Sequence, residues 1–418
     1  MTRCSADMHN GPIPSLNNKA WWLVIFLWFA FCLAFADRQV IFSIFPVLKS
    51  ELRFTDTQLG LTGSLFLWVY AICSPLAGHI GDRFSKKILV AASLVLWSVV
   101  TALTGMAASP VQLLACRAGI GITESLFYPS AVALIAAAHA PETRSRAFAV
   151  FASGNVFGVV LGGWYGGFVA QESNWRLAFY SLGLAGVLYA IPFLTFLRSV
   201  PEPGGASTGR DGFSAVLVLR TPTYLVLCAV YSTFAFNNYL IYTWLPTLLQ
   251  EKFSLGLAHA GFTATAYVQS ASIPGLLLGG WVADRLFART RASRLWVLTA
   301  AIMLAGPFAY SIAHAHSLVN TRIAALGFGL CTGMYLANLF AAAFDVITVE
   351  RRASAAGLMN LAGACVSGFS GLLGGLWKQK IGIAGLMTYS AWACAIVGVL
   401  LLFGIRFWFA RDYKRANE

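Results

Sequence analysis

This sequence predicts an all-α integral membrane protein, with twelve transmembrane helices in two pseudo-symmetric six-helix bundles. Three observations predict it. The chain of 418 residues is 58% hydrophobic and only 11% charged, where a soluble domain carries about 25% charged residues, so lipid is its main solvent. Its apolar runs reach the roughly 20 residues that a helix needs to cross a bilayer. The chain also repeats itself: Gly78-His-Ile-Gly-Asp82-Arg83 closes the second run, and Gly280-Trp-Val-Ala-Asp284-Arg285 closes the eighth, 202 residues later.

The elements follow in order. Residues 1–19 are a polar tail, and the first apolar run is long enough to span, so no cleaved leader is expected. Spans fall near 20–47, 57–77, 88–107, 111–138, 147–170 and 177–198, an N-terminal bundle over 20–198. A polar segment rich in Pro and Gly, 199–220, links it to a second bundle over 221–410. The spans of that bundle fall near 222–249, 260–283, 295–313, 321–348, 355–377 and 385–409, and 411–418 is a second tail. Gly154, Gly158, Gly162 and Gly166 form a stripe at helical spacing on span five, and Gly363, Ser367, Gly371 and Gly375 do so on span eleven. Such stripes are faces on which helices pack closely and slide.

With both termini cytoplasmic, 20 of the 29 basic residues lie on the cytoplasmic side, seven on the other, and Arg38 and Arg117 inside the membrane. That is the positive-inside pattern. The net charge of +13 is therefore topology, and no nucleic-acid partner is implied. A multi-pass protein of the plasma membrane, in bacteria the inner membrane, is expected, working as a monomer. No phosphate-cradling G-x-x-x-x-G-K-[ST] occurs, so energy must come from an ion or exchange gradient and no cofactor is implied. The eight cysteines are scattered and show no metal-ligand spacing. No nucleophile–base constellation supports an enzyme, and every loop is short, which argues against a receptor or sensor.

The chemistry-bearing residues are the charges at membrane depth. Each costs about 2.5–3.5 kcal/mol on insertion scales, so such residues are usually functional. Span one carries Asp37 and Arg38, and span four carries Arg117 and Glu124, seven apart and hence on one helical face. At about 1.5 Å per residue, Arg38 and Arg117 share a level, with Glu124 about one or two turns below. Asn237 and Asn238 stand where the duplication would repeat Asp37 and Arg38, so ion chemistry belongs to the N-terminal half. Arg38 suits a fixed cation that receives a carboxylate. Asp37 and Glu124, with Arg117, suit sites whose proton occupancy changes, because desolvation favours the neutral carboxyl. The alternative is a pair of ion pairs that merely hold helices together. Asn237, Asn238 and Tyr242 on span seven are candidate substrate contacts, with Gln269, Tyr335, Asn338 and Asn360 as weaker ones; interhelical hydrogen bonding is the competing use.

Gly78-x-x-x-Asp82-Arg83-x-x-x-Lys87 resembles the loop signature of the major facilitator superfamily, and the resemblance covers the chain end to end. It implies a role in conformational gating for Gly78, Asp82 and Arg83 and for their counterparts Asp284 and Arg285. Asp37-Arg38, Arg117-Ala-Gly-Ile-Gly-Ile-Thr-Glu124-Ser-Leu-Phe-Tyr-Pro129 and Thr243-Trp244-Leu245-Pro246-Thr247 further resemble the organic anion:cation symporters, carriers of sugar acids, phthalate and sialic acid. That resemblance implies that Arg38 binds the substrate carboxylate and that Asp37 and Glu124 take protons. An Asn-Tyr pair commonly precedes Asp-Arg there, whereas this chain has Phe35-Ala36. Asp37-Arg38-Gln39 and Gly121-x-x-Glu124 are similar to spinster-like lipid carriers as well. The stripe from Gly154 to Gly163 looks like the antiporter motif of drug exporters but has Val159 where that motif has Pro. The expected function is proton-coupled symport of a small organic anion by alternating access, driven by the proton gradient. The alternative is a spinster-like exporter or exchanger of lysolipid or another amphiphile.

Overall fold

The computed structural model describes residues 14–200 and 218–417, whose regular structure is entirely helical. The first part contains α1 (Pro14–Ser43), α2 (Phe45–Glu51), α3 (Asp56–Arg83), α4 (Lys86–Gly105), α5 (Pro110–Ser125), α6 (Phe127–Ala138), α7 (Pro141–Glu172) and α8 (Trp175–Arg198). The second contains α9 (Pro222–Phe253), α10 (Leu257–Phe287), α11 (Ser293–His314), α12 (Leu318–Asp345), α13 (Arg352–Gly404) and a short α14 (Ala410–Asn417).

Among the described residues, ten helical stretches are long and apolar enough to cross a membrane. One of them, Ser354–Asn417, holds two crossings, because Gly382 breaks α13 with φ +71°, a conformation that costs glycine little. α10 has the length of a span, and Thr263, Thr265, Gln269, Ser270 and Ser272 interrupt its apolar run. The all-α architecture of twelve spans is thus the one observed. Span four differs in detail from the single helix expected, since α5 and α6 meet at Leu126. Pro129 has no N–H to offer the Ser125 carbonyl, so the helical ladder is interrupted just beyond Glu124.

The glycine stripe of α7 lies on the backbone of α1. A Cβ at Gly154, Gly158, Gly162 or Gly166 would meet, in turn, the carbonyls of Trp28, Cys32, Ala36 and Val40. Close approach there fixes α1 at the level of Asp37 and Arg38. Gly162→Ala is therefore expected to destabilise by about 1–3 kcal/mol through overpacking. Gly280→Ala meets open space and is expected to gain up to about 1 kcal/mol of helix propensity. Thermal unfolding in detergent should show these opposite signs.

The first six spans and the last six are sealed together at the end of the molecule remote from the chain termini. α3 and α13 run past each other in a regular ladder. A Cβ at Gly375 would meet the backbone of Asp56, and one at Gly371 would approach Ser64 Oγ and the Gly60 carbonyl. Ser64 Oγ donates to the Gly368 carbonyl (2.5 Å), and Trp68 Nε1 donates to the Cys365 carbonyl (3.0 Å). Beyond that rung, toward the terminal end, the helices part. A second seam joins α7 to α10, where Gly163 and Gly261 face each other and Ala258 N donates to Gln171 Oε1 (2.7 Å).

An ion cluster closes the sealed end. Asp56 accepts from Lys49 at 2.7 Å and lies 3.7 Å from Lys378, which also holds Glu251 at 2.5 Å. Lys49 and Asp56 belong to the first six spans, and Lys378 and Glu251 to the last six, so the cluster ties the halves shut. Asp56→Asn is expected to raise the population open at this end about fivefold, the scale of one partly exposed ion pair. A longer distance between spin labels at Ser50 and Gln250 would report it.

Candidate functional site

Where α3 and α13 part, a cavity of about 640 Å³ opens between the halves. Arg38 lies in its wall with Phe31 and Phe35 on α1, Tyr70, Ser74 and Pro75 on α3, and Tyr128 on α6. Phe340 on α12 and Gly357, Leu358, Asn360 and Leu361 on α13 form the opposite wall. A Cβ on Gly357 would touch nothing within 4 Å, as the end of a sealed ladder requires.

The Arg38 guanidinium is held from both sides. Its Nε donates to Glu124 Oε2 at 2.6 Å, and a terminal nitrogen approaches the same oxygen at 2.5 Å. Its carbon lies 4.6 Å from the Phe35 ring centre, 4.7 Å from Phe66 and 5.0 Å from Tyr70. A weakly hydrated, planar cation is stable among aromatic faces in a way that an ammonium is not. The pair is asymmetric: the Arg38 side chain is 20% exposed and Glu124 only 1%. Arg38 thus faces the cavity, with Glu124 behind it. The sequence spacing set Glu124 below the level of Arg38, whereas the two meet, because a long arginine side chain spans the difference.

Asp37 and Arg117 sit deeper, out of the cavity wall. Asp37 is buried, and its Oδ2 accepts from Thr101 Oγ1 on α4 at 3.2 Å while Oδ1 has no partner. Arg117 is fully buried; its Nε donates to the Thr62 carbonyl at 3.1 Å, and both terminal nitrogens lack partners. Glu124 Oε1 also lacks one. Four unsatisfied polar groups so close together in a hydrophobic bundle are costly, since each forfeits about 1–3 kcal/mol of desolvation. Among the described residues they make the N-terminal half the place where charge is stored.

The polar residues of the other half divide. Asn360 lines the cavity, where its Oδ1 accepts from Tyr231 OH at 3.0 Å. Asn238 is half-buried and turned back on its own helix, with Nδ2 donating to the Phe234 carbonyl (3.1 Å). Tyr242 is half-buried, and its backbone carbonyl receives Gln39 Nε2 across the halves at 3.0 Å. Asn237 is buried away from the cavity and knits α9 to the second limb of α13, accepting from Ser390 Oγ at 2.8 Å. Asn338 bridges to α10 through the Gly279 carbonyl at 3.0 Å. Tyr335 is buried with its ring 4.1 Å from that of Phe234, and Gln269 is buried within α10. For Asn237 and Asn338 the interhelical use prevails in this conformation, because the nearest polar groups are carbonyls and hydroxyls of neighbouring helices.

The backbone of Gly78, Asp82 and Arg83 forms the last turns of α3, and their side chains lie outside what the structure describes. Asp284 and Arg285, at the corresponding end of α10, are exposed, with Arg285 lying 5.7 Å from the Trp281 ring centre. Most of the linker 199–220 and both extreme tails also lie outside the described residues. Sequence reasoning missed Tyr70 and Phe66. Their signal was present as two aromatics four apart on span two, one helical turn that presents both to the same neighbour.

Known proteins agree with this architecture. The chain is 28% identical over 359 residues to an MFS-type efflux pump of Mycolicibacterium smegmatis, covering 84% of this chain and 82% of that protein. It is 25% identical over 276 residues to a hexuronate transporter of Bacillus subtilis, covering 64% of this chain and 65% of the relative. The crystal structure of a bacterial homolog of the human lysosomal transporter Spinster, in an inward-facing and occupied conformation, superposes with a TM-score of 0.80 at 18% identity. That superposition covers 94% of this chain and 97% of the other, and it shows the shared fold. Residues 27–372 match the Major Facilitator Superfamily as a whole, so this chain belongs to that superfamily and is a multi-pass membrane transporter, not an enzyme.

Proposed function

We propose that this transporter carries a small organic anion together with protons. The observation that supports the reading best is Arg38 in the cavity wall, ion-paired to the buried Glu124. While Glu124 is ionised it neutralises Arg38, and a substrate carboxylate would have to compete with it. Once Glu124 takes a proton, Arg38 is left as an uncompensated cation facing the cavity, ready for bidentate pairing with a carboxylate. Substrate anion and proton then enter as one neutral load. The buried Asp37 and Arg117 would tune or share that proton, and Asn360 would contact the substrate from the opposite half.

The transport cycle would be a rocking of the halves about this site, as in other transporters built from two parallel repeats. In the conformation described, the end with the ion cluster is shut. On the positive-inside excess the open, terminal end would be cytoplasmic, and the protein would work in a cell membrane, the inner membrane in bacteria, as a monomer without a cofactor. Asp82, Arg83, Asp284 and Arg285 would then gate the cytoplasmic end. Asn238 and Tyr242, near the closed seam, would reach substrate when that seam opens, and the buried Asn237, Gln269, Tyr335 and Asn338 would shape the C-terminal wall.

The aromatic lining of the cavity favours a second reading, export or exchange of lysolipid or another amphiphile. The two separate in proteoliposomes given a panel of labelled carboxylates, with and without an inside-alkaline gradient. Uphill, gradient-dependent uptake of any acid is the result expected of symport. Folded protein that takes up no acid under the gradient, and instead moves lysolipid, would overturn it.

A further inference from the structure

We infer that the anion this site accepts is a monocarboxylate with a flat, apolar body, such as an aromatic acid, rather than a polyhydroxylated sugar acid or a dicarboxylate. This rests on the anion-symport reading above, and it follows from what surrounds Arg38 rather than from Arg38 itself.

Arg38 is the one cationic residue in the cavity wall among the described residues. A single guanidinium pairs with a single carboxylate. A second carboxylate would be carried into a low-dielectric cavity with no partner, the arrangement that most weakens binding of a charge. The walls are chiefly aromatic and aliphatic, from Phe31, Phe35 and Tyr128 on one side to Phe340, Leu358 and Leu361 on the other. Those rings brace one another, with Phe31 packed at 4.9 Å against Phe35 and at 5.8 Å against Tyr128.

The polar groups on the wall beside Arg38 are few, the hydroxyls of Tyr70, Ser74 and Tyr128 and the amide of Asn360, and two of these residues already hold a partner within the protein. Ser74 Oγ donates to the Tyr70 carbonyl at 2.7 Å, and Asn360 Oδ1 accepts from Tyr231 OH at 3.0 Å. A sugar acid would therefore bury several hydroxyls against hydrocarbon, and each one left unpaired weakens binding by about tenfold or more. A planar aromatic body instead gains ring contacts on entry. The cavity of about 640 Å³ lies within the size range that encloses small organic ligands. The rings of Phe35, Phe66 and Tyr70 also fix the plane of the guanidinium, so the carboxylate plane is fixed with it.

The test is competition and uptake with the purified full chain in proteoliposomes, using phenylacetate, glucuronate, phthalate and lysophosphatidylcholine as probes. The expected result is proton-driven uptake of phenylacetate, with glucuronate and phthalate at least about a hundredfold weaker. Leu361→Gln, which adds a hydrogen-bonding group to a partly exposed wall position, is expected to narrow the preference over glucuronate by about tenfold. Proton-driven uptake of glucuronate or phthalate as good as that of phenylacetate would overturn this inference and leave anion symport standing. Transport of lysophosphatidylcholine alone would overturn both. Folded protein that binds none of the four probes would overturn the inference as well.

Discussion

Arg38→Gln is expected to abolish anion binding while leaving a folded, inserted protein. The guanidinium makes a charge-assisted contact in a cavity wall, and truncating one partner of such a buried contact costs about 2–5 kcal/mol, or about 1.5 to 3.5 orders of magnitude in Kd. Folding should survive because Glu124, left without its cation, can take up a proton rather than remain a bare buried charge. Arg38→Lys is the informative companion. An ammonium keeps the charge but loses the planar fork, and it fits poorly among the rings of Phe35, Phe66 and Tyr70. Partial recovery at most is expected, read by equilibrium binding in detergent. Full recovery with lysine would mean that charge alone recruits the substrate and that the aromatic cage is mere packing.

Glu124→Gln should separate binding from energy coupling. Glutamine has the shape of the protonated carboxyl and no charge, so Arg38 stays permanently available to substrate. Exchange of labelled for unlabelled anion is expected to persist near the rate of the unaltered protein, while the accumulation ratio under an inside-alkaline gradient falls to about one, since no proton equilibrium remains to drive it. Substrate binding should also lose its pH dependence, because the competitor for Arg38 no longer ionises. Accumulation that survives in the glutamine variant would shift the coupling role to Asp37. That residue is buried against Thr101 and outside the cavity wall.

These expectations depend on features of different legibility. Asp37, Arg38, Arg117 and Glu124 stood out in the sequence because a charge in an apolar run is costly wherever its neighbours turn out to be. The glycine stripes were equally visible, since a four-residue spacing of small side chains can only make a close-packing face. What they pack against was not visible. The α7 stripe lies on α1 beneath the charged pair, whereas Gly371 and Gly375 of the α13 stripe lie on α3 of the opposite half and Gly363 faces Tyr231. The amides were legible as polar but not as to their use. Asn237 and Asn360 are the same residue type; one ties helices together and the other lines the cavity.

Composition, hydrophobic run length and internal repetition determined by themselves that this chain is a twelve-span helical membrane protein whose charges at membrane depth lie in its first half. Each of those rests on a cost that lipid imposes on any sequence, whatever its partners. Tertiary structure alone decided that Arg38 meets Glu124, that three rings enclose the guanidinium, and that the halves seal at one end through Asp56 and Lys378. The physical reason is that with 31 phenylalanines in the chain, an aromatic facing lipid and one facing a cation look alike until neighbouring helices are placed around them.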